Sequence, residues 1–266
     1  MDLKKKRLFL LDMDGTIYID DQLFDGTLDF LDYVNKIGGR YLFLTNNSSR
    51  GVDAYLEKLR RIGIPAKAED LLTSVHALIR ALKQRYGPND LLYAFGTASF
   101  QRQLRQAGLR ITTRLEAQVK ALVVGFDTEL TFLKLEDACI LLNRGVDFIA
   151  ANPDWVCPTW YGFVPDCGSV CQMLTRATGR EPLFIGKPRP DMVYMALERT
   201  GFSAEQTVVI GDRLYTDIAC GLNAGVDSIL VLSGETTLEQ AQQSEIQPTA
   251  IFPDILSILH ELEDAK

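Results

Sequence analysis

The chain has 266 residues, enough for one large domain or two moderate ones. Hydrophobic residues make up 47% of the sequence and charged residues 24%, which is typical of a globular protein with a substantial core. The formal net charge is -7 and the pI is about 5.0, which argues against a sequence-independent nucleic-acid binder, because such a protein needs a basic face.

Membrane and secretory classes are also disfavoured. No apolar stretch approaches the length of a membrane span, and two aspartates interrupt the apolar part of the N-terminal region, so a secretory signal is not expected. The 5 cysteines have irregular spacing, which predicts reduced thiols and a cytoplasmic protein. Cys167 and Cys171 could lie on one helical face, but no second Cys or His pair accompanies them, which argues against zinc.

The first predicted strand is the apolar run Leu8–Leu11, which is apolar enough to be buried on both faces. Asp12-Met13-Asp14-Gly15-Thr16 follows it directly. These residues are common in turns, but in an open α/β sheet ligands bind outside the carboxyl ends of the strands. Paired acids there are costly unless a cation or a reaction uses them, so we interpret Asp12 and Asp14 as functional.

The following segments continue to alternate between strand and helix patterns. Residues 17–21 predict a small hairpin, 27–36 a helix, and 41–44 a strand that runs into Thr45-Asn46-Asn47-Ser48-Ser49. From about residue 75 to 180 a second alternating set resembles an inserted αβ module. Its predicted strands are 91–95, 121–126 and 147–150, and its predicted helices are 100–106, 134–143 and 169–177.

The first pattern resumes after the insert. Residues 183–185 are apolar and precede Gly186-Lys187-Pro188, and a strand at 207–210 precedes Gly211-Asp212. The remaining predicted elements are helices at 191–200, 216–223 and 255–263 and a strand at 228–232. This alternation predicts an α/β fold with a parallel core sheet built from residues 1–77 and 181–266, and an inserted domain at 78–180.

Polar side chains follow four of the predicted core strands. In a parallel sheet we expect them to meet at one edge. Carboxylates suit a hard cation such as Mg²⁺, Thr hydroxyls and Asn amides suit phosphate oxygens, and a lysine neutralises negative charge. Phosphoryl transfer mainly requires positioning and charge neutralisation, which this set supplies. The residues are Asp12 and Asp14, Thr45 and Asn46, Lys187, and Asp212.

Each of these residues also has an ordinary structural interpretation. Thr45 and Asn46 could belong to a helix N-cap, although helix N-termini also attract phosphate. Lys187 alone would most often be a solvated surface lysine. Asp212 could be a turn residue, and Asp217 a first-turn acid favoured by the helix dipole.

Taken together, the motifs D-M-D-G-T, T-N-N, G-K-P and G-D-R-L-Y-T-D resemble the four motifs of the haloacid dehalogenase-like superfamily, in the same order. The insert resembles that of the NagD/para-nitrophenylphosphatase-like branch. The resemblance covers essentially the whole chain. It implies a Rossmann-like parallel sheet core with an inserted αβ cap domain, and a homodimer that forms through the caps.

The resemblance also implies roles for the acids. Asp12 would be the nucleophile that forms an aspartyl-phosphate, and Asp14 would protonate the leaving alcohol and then activate water. The Asp12 side chain, the Asp14 backbone carbonyl and Asp212 would bind Mg²⁺. Asp217 would orient Lys187 or bind the metal through water.

The other motif residues would handle the phosphate. Thr45 and Asn46 would bind the phosphoryl group, and Lys187 would offset the charge between it and the nucleophile. The implied activity is that of a Mg²⁺-dependent phosphatase of small phosphorylated metabolites, such as sugar phosphates or nucleoside monophosphates. A phosphotransferase or mutase on the same core and a non-catalytic binding protein are the alternatives. No nucleic-acid polymer or membrane is expected as a partner.

Substrate specificity is expected to lie in the insert. Aromatic residues cluster between residues 152 and 167, in a stretch without clear periodicity that is typical of a binding loop. We therefore interpret Trp155, Trp160 and Asp166 as candidates for contacts to the leaving group. The alternative is that the aromatic residues only pack the insert or a dimer contact.

Overall fold

The computed structural model describes residues 2–159 and 161–264. The strands are β1 Leu8–Leu11, β2 Tyr18–Ile19, β3 Gln22–Leu23, β4 Arg40–Thr45, β5 Leu71–Thr73, β6 Leu91–Phe95, β7 Ile111–Thr112, β8 Val119–Val124, β9 Asp147–Ala150, β10 Val156–Thr159, β11 Gly162–Pro165, β12 Leu183–Phe184, β13 Thr207–Gly211, β14 Asp227–Val231 and β15 Ala250–Phe252. The α-helices are α1 Thr27–Lys36, α2 Val52–Arg61, α3 Ser74–Arg85, α4 Ala98–Gln106, α5 Phe132–Asn143, α6 Cys167–Thr178, α7 Asp191–Thr200, α8 Ala219–Ala224, α9 Leu238–Gln243 and α10 Ile255–Asp264. Within the described ranges, no helix is both long enough and apolar enough to cross a bilayer.

The chain divides into two compact units. The first contains Met1–Thr45, Tyr55–Leu72 and Lys187–Lys266, and the second contains Asn46–Ala54 and Thr73–Gly186. The domain boundaries inferred from the sequence, 1–77 with 181–266 and 78–180, stay a proposal.

The first unit is built on a six-stranded sheet with the order β15-β14-β13-β1-β4-β5. The neighbouring strands from β15 to β4 pair in parallel. All four residues of β1 are buried, as expected for a central strand that is covered on both faces. Because β1 lies between β4 and β13 in parallel register, the polar residues that end these three strands meet at one edge, as predicted.

The second unit contains a five-stranded sheet with the order β12-β9-β8-β6-β7, in which every neighbouring pair is parallel. A buried apolar cluster joins β6, β8 and β9 to α5 and α6, with Phe95, Val124, Leu142 and Leu174 among its members. The predicted α/β class, with a parallel core sheet and a second parallel αβ module, is confirmed.

One strand lies in a different sheet from the one expected. Residues 183–185 were assigned to the core, but β12 pairs with β9 of the second sheet, and Gly186 N–H continues this pairing by donating to Ala151 O at 2.8 Å. The expectation that Lys187 follows a core strand is therefore wrong. A strand of two residues carries too little pattern to specify its partner, so tertiary contacts decide it.

The stretch between residues 152 and 167 is also more regular than expected. β10 and β11 form an antiparallel hairpin in which Val156 pairs with Pro165 and Thr159 with Gly162. Prolines and a glycine in these strands obscure the alternation on which a sequence-based assignment depends. The predicted hairpin near residue 18 is confirmed, because β2 and β3 pair in antiparallel fashion. Trp160 lies outside the described residues.

Candidate active site

Lys187 is bound by three acceptors in the first unit. Its Nζ lies 2.6 Å from Asp12 Oδ1, 2.5 Å from Asp217 Oδ1 and 3.2 Å from the carbonyl oxygen of Leu44. The Lys187 side chain is only 3% exposed. An ammonium group has three protons to donate, so these contacts fix its position between the two carboxylates. Lys187 thus reaches the predicted site although it does not follow a core strand.

Asp212 is held at the end of β13 by two donors. The backbone N–H of Glu235 donates to its Oδ2 at 2.7 Å, and the Thr16 hydroxyl donates to its Oδ1 at 3.3 Å. The surrounding backbone packs tightly around this carboxylate. Gly15 has a φ of +88°, and a Cβ placed there would lie 2.6 Å from Asp212 Oδ2; a Cβ at Gly234 would also collide with the same group. The site therefore requires glycine on both sides of Asp212.

Asp217 reaches the site through a π-helical turn. This turn, Leu214–Ile218, directly precedes α8, and the expected helix at 216–223 is regular only from residue 219. The backbone N–H of Arg213 donates to Asp217 Oδ2 at 3.1 Å, which leaves Oδ1 directed at Lys187. Single π-turns of this kind occur frequently at functional sites.

Asp12, Asp212 and Asp217 form a group that can hold a divalent metal ion. Each offers a carboxylate oxygen, and these oxygens lie within 4.8 Å of one another. Hard divalent cations prefer such oxygen ligands. The sequence assigned Asp217 only a supporting role, whereas the geometry groups its carboxylate with the other two. The Asp14 side chain lies outside this group, and the proposed ligation by its backbone carbonyl stays a prediction.

The electrostatics of the group also suit a cation. Burial and the charge of Asp217 raise the pKa of Asp12 well above its usual range. Burial and Asp217 likewise raise the pKa of Asp212 to about 6. Burial alone would lower the pKa of Lys187, but Asp12 and Asp217 raise it above its usual value, so the lysine stays charged. Three carboxylates around one ammonium leave negative charge that a divalent cation would neutralise.

A pH dependence of stability follows for the metal-free protein. Because the pKa of Asp212 rises from 3.8 to about 6 on folding, its contribution favours folding below pH 4 and is lost as the pH rises through 6. The loss is about 3 kcal/mol at most. We expect the unfolding temperature in EDTA to fall over this window more steeply for the wild type than for Asp212→Asn. Equal slopes for the two proteins would contradict the raised pKa.

Asp14 lies beside two partners that the sequence analysis did not single out. Lys58 Nζ is 3.3 Å from Asp14 Oδ1, and the Tyr18 hydroxyl donates to Asp14 Oδ2 at 3.4 Å. Burial and the nearby Asp14 charge raise the pKa of Tyr18 well above its usual range, so the phenol remains a donor. In the sequence, Lys58 resembles an ordinary cation near a helix C-terminus, and only the packing of α2 distinguishes it.

Comparison with known proteins identifies the family. A family model for haloacid dehalogenase-like hydrolases matches residues 9–110, and a second, HAD-hydrolase-like model matches residues 184–258. The acid sugar phosphatase of Staphylococcus aureus (strain MRSA252) is 36% identical over 261 residues, which cover 98% of this chain and 100% of that protein. The chain belongs to the haloacid dehalogenase-like hydrolases.

Solved structures place this hydrolase in a branch of the family. The 4-nitrophenylphosphatase of Thermotoga maritima is 39% identical, with a TM-score of 0.92 and coverage of 98% of both chains. The glycerol phosphate phosphatase of Mycobacterium tuberculosis, solved in complex with magnesium, is 32% identical, with a TM-score of 0.90 and coverage of 97% of this chain and 78% of that one. The hydrolase is a phosphatase of the NagD/p-nitrophenylphosphatase branch, and its second parallel sheet corresponds to the cap of that branch.

The two predicted phosphate-binding residues of this hydrolase fall in different units. Thr45 is the buried last residue of β4, and Asn46 begins the second unit. There, Asn46 Nδ2 donates to Asp154 Oδ2 at 2.7 Å, and the Ser74 hydroxyl donates to the Asn46 carbonyl oxygen at 2.7 Å. These contacts fix the Asn46 backbone and amide. The roles of Thr45 and Asn46 in binding phosphate stay predictions.

Asp166 belongs to a buried polar network within the hydrolase cap. Its Oδ1 accepts from Asn152 Nδ2 at 3.1 Å and caps the N-terminus of α6 through the Cys167 N–H. Asn152 Nδ2 also donates to Asp154 at 2.9 Å, and Asn152 Oδ1 accepts from the Ser48 hydroxyl at 3.1 Å. Asp166 therefore has a structural task, and its predicted contact with the leaving group remains a prediction.

Of the two tryptophans predicted to contact the leaving group, the structure describes Trp155. The Trp155 side chain is 51% exposed at the start of the β10–β11 hairpin, and its carbonyl oxygen accepts from the Asp166 N–H at 3.0 Å. Trp160 falls in the gap between the described ranges. The specificity roles of both residues stay predictions.

Proposed function

We propose that this chain is a Mg²⁺-dependent phosphatase that hydrolyses phosphomonoesters of small metabolites through an aspartyl-phosphate on Asp12. The observation that carries the proposal is the Lys187 ammonium between Asp12 and Asp217, beside a group of three carboxylates within 4.8 Å. An anionic nucleophile can attack an anionic phosphate only where nearby positive charge offsets their repulsion. Lys187 supplies one part of that charge.

The residues divide the reaction into two steps. In the first, the Asp12 carboxylate bonds to phosphorus, the bond from phosphorus to the ester oxygen breaks, and Asp14 gives its proton to that oxygen. In the second, Asp14 takes a proton from water, which attacks the aspartyl-phosphate, so that phosphate leaves and Asp12 is restored. Thr45 and Asn46 bind the phosphoryl oxygens in both steps.

The metal complements these residues. Asp12, the Asp14 carbonyl and Asp212 would hold Mg²⁺, which when bound supplies positive charge near the nucleophile. Asp217 would orient Lys187, a role supported by their 2.5 Å contact, and it is also close enough to the other two carboxylates to join the metal site. The magnesium in the related glycerol phosphate phosphatase supports the choice of ion.

The substrates are expected to be small phosphate esters. The relatives are named for sugar phosphate, 4-nitrophenyl phosphate and glycerol phosphate. These names support sugar phosphates more than nucleoside monophosphates, the other class that the motifs allow. The family sets the reaction, and substrate preference has to be measured because unrelated esters use the same core.

Phosphate release from a panel of esters tests the proposal. The panel contains sugar phosphates, glycerol phosphate, nucleoside monophosphates and 4-nitrophenyl phosphate, each with Mg²⁺ and with EDTA. We expect release with Mg²⁺ that EDTA abolishes, and the ranking of kcat/KM identifies the substrate class. Release that persists in EDTA would contradict the metal requirement. Release only when an acceptor alcohol is present would identify a phosphotransferase instead.

A further inference from the structure

Lys58 is a partly buried cation to which the mechanism above assigns no role. It lies in the last turn of α2 with Arg60 and Arg61. The two arginines are exposed, and Arg61 pairs with Asp21 at 2.7 Å. The Lys58 side chain is only 14% exposed. Lysines normally keep their ammonium in water, so a lysine on a surface helix that turns inward indicates a specific partner.

The partner is the carboxylate of Asp14. Lys58 Nζ lies 3.3 Å from Asp14 Oδ1, while the Tyr18 hydroxyl lies 3.4 Å from Asp14 Oδ2. Lys58 Nζ also lies 3.9 Å from the centroid of the Tyr18 ring, so the cation contacts the aromatic face. Each Asp14 carboxylate oxygen thus has its own donor, and the two donor residues contact each other through the Tyr18 ring.

Tyr18 is held in a fixed position beside Asp14. Its side chain is fully buried, and its backbone forms an isolated bridge with Asp14. The Gly15 N–H donates to the Tyr18 carbonyl oxygen at 2.8 Å, which closes the turn between the two residues. The Asp14 carboxylate is itself 40% exposed. Without Lys58 and Tyr18, a short side chain at that exposure would sample several rotamers.

Stability alone does not explain why Lys58 is turned inward. An ion pair with a partly exposed carboxylate contributes little to folding, because water screens it and because the lysine loses rotamer freedom. The contact with the Tyr18 ring offsets part of that loss. The arrangement therefore costs about as much as it contributes to stability. Its specific effect is to fix the direction of the Asp14 carboxylate, and proton transfer depends steeply on that direction.

We propose that Lys58, together with Tyr18, is a positioning residue that holds the Asp14 carboxylate in the orientation needed to deliver a proton to the ester oxygen. This inference rests on the proposed function. The proton matters most for an alkyl ester, whose oxygen would otherwise leave as a strongly basic alkoxide. 4-Nitrophenolate is a stable anion and leaves without a proton.

The leaving-group dependence of kcat/KM tests this inference. This parameter covers the steps up to release of the alcohol, and it excludes hydrolysis of the aspartyl-phosphate. We compare the wild type with Lys58→Met and with Arg60→Met, a control that removes an exposed cation from the same helix. For glycerol phosphate we expect Lys58→Met to lower kcat/KM by about 100-fold, and for 4-nitrophenyl phosphate by less than about fivefold. Arg60→Met should leave both values unchanged.

Two further variants test the same inference if Lys58→Met folds poorly. Lys58→Arg keeps the charge and should recover most of the activity on glycerol phosphate. Tyr18→Phe removes only the hydroxyl. It should also lower kcat/KM for the alkyl ester more than for the aryl ester. An equal loss on both esters, or no loss, in Lys58→Met and Tyr18→Phe would overturn the inference. A wild type without metal-dependent phosphate release would instead overturn the proposed function.

Discussion

Asp12→Asn is expected to reduce phosphate release by about 10⁴-fold or more, because the amide that replaces the carboxylate cannot attack phosphorus. The exchange conserves volume, and the amide oxygen can still accept the hydrogen bond that Lys187 donates to Asp12 Oδ1 at 2.6 Å. The fold should therefore survive. Phosphate release with Mg²⁺ and thermal unfolding of the same preparation measure both effects.

The stability of Asp12→Asn gives a second test that does not depend on its activity. Burial and the charge of Asp217 raise the pKa of Asp12, so in the metal-free protein its ionised form opposes folding at neutral pH. We expect Asp12→Asn in EDTA at pH 7 to unfold at the wild-type temperature or above it. Asp25→Asn, the same exchange at an exposed position, is the control and should change neither property. Near-normal turnover by Asp12→Asn would contradict the assignment of Asp12 as the nucleophile.

The positions of Asp12 and Asp212 could be predicted from the sequence because they depend on local patterns. Asp12 follows a short apolar run that predicts a buried strand, and Asp212 follows another. Parallel strands bring such residues to one edge whatever the details of packing. Asp217 was harder to assign, because a first-turn helix acid and a site residue have the same pattern. Its role depends on the π-helical turn that directs its carboxylate toward Lys187.

The positions of the two lysines of the site, Lys187 and Lys58, depend on tertiary packing and could not be predicted from local sequence patterns. Lys187 follows a two-residue strand that pairs with β9 and not with a core strand, yet its ammonium lies beside Asp12 at the edge of the core sheet. Lys58 is one of three cations in the last turn of a helix, and its two neighbours are exposed. Only the position of α2 beside Tyr18 separates it from them.

The cap was predicted least completely. Residues 152–167 were predicted only to form an irregular binding loop, whereas in the structure Asn152 and Asp154 join a buried network with Asn46 and Asp166. Hydrogen bonds between residues more than a hundred positions apart leave no periodic trace. Buried polar groups must find partners, so a cluster of Asn and Asp beside apolar strands is the one signal that could have indicated such a network.

Lys187→Met is expected to impair both folding and catalysis, because it removes the cation from a buried group and leaves the carboxylates behind. Removing one partner of a buried ion pair typically costs about 3–5 kcal/mol, since the remaining charge is uncompensated. Here Asp12 and Asp217 would both lose contacts, of 2.6 and 2.5 Å. Turnover should fall by about 10³-fold, as expected when a charge that stabilises the transition state is lost.

Conditions that neutralise the carboxylates should reverse the loss of stability but leave the loss of turnover. Without Lys187 the folded-state pKa values of the acids rise further, so the variant should regain stability as the pH falls, and at pH 7 it should be stabilised by Mg²⁺ more than the wild type is. Unfolding temperatures at pH 5 and pH 8, in EDTA and in Mg²⁺, measure this, with Lys36→Met as the exposed control. A variant as stable as the wild type at pH 8 in EDTA would mean that the carboxylates do not need the lysine. Turnover in Mg²⁺ close to the wild-type value would mean that the positive charge of the metal suffices. Stability restored by Mg²⁺ with turnover still low would mean that the reaction needs an ammonium fixed between Asp12 and the phosphate.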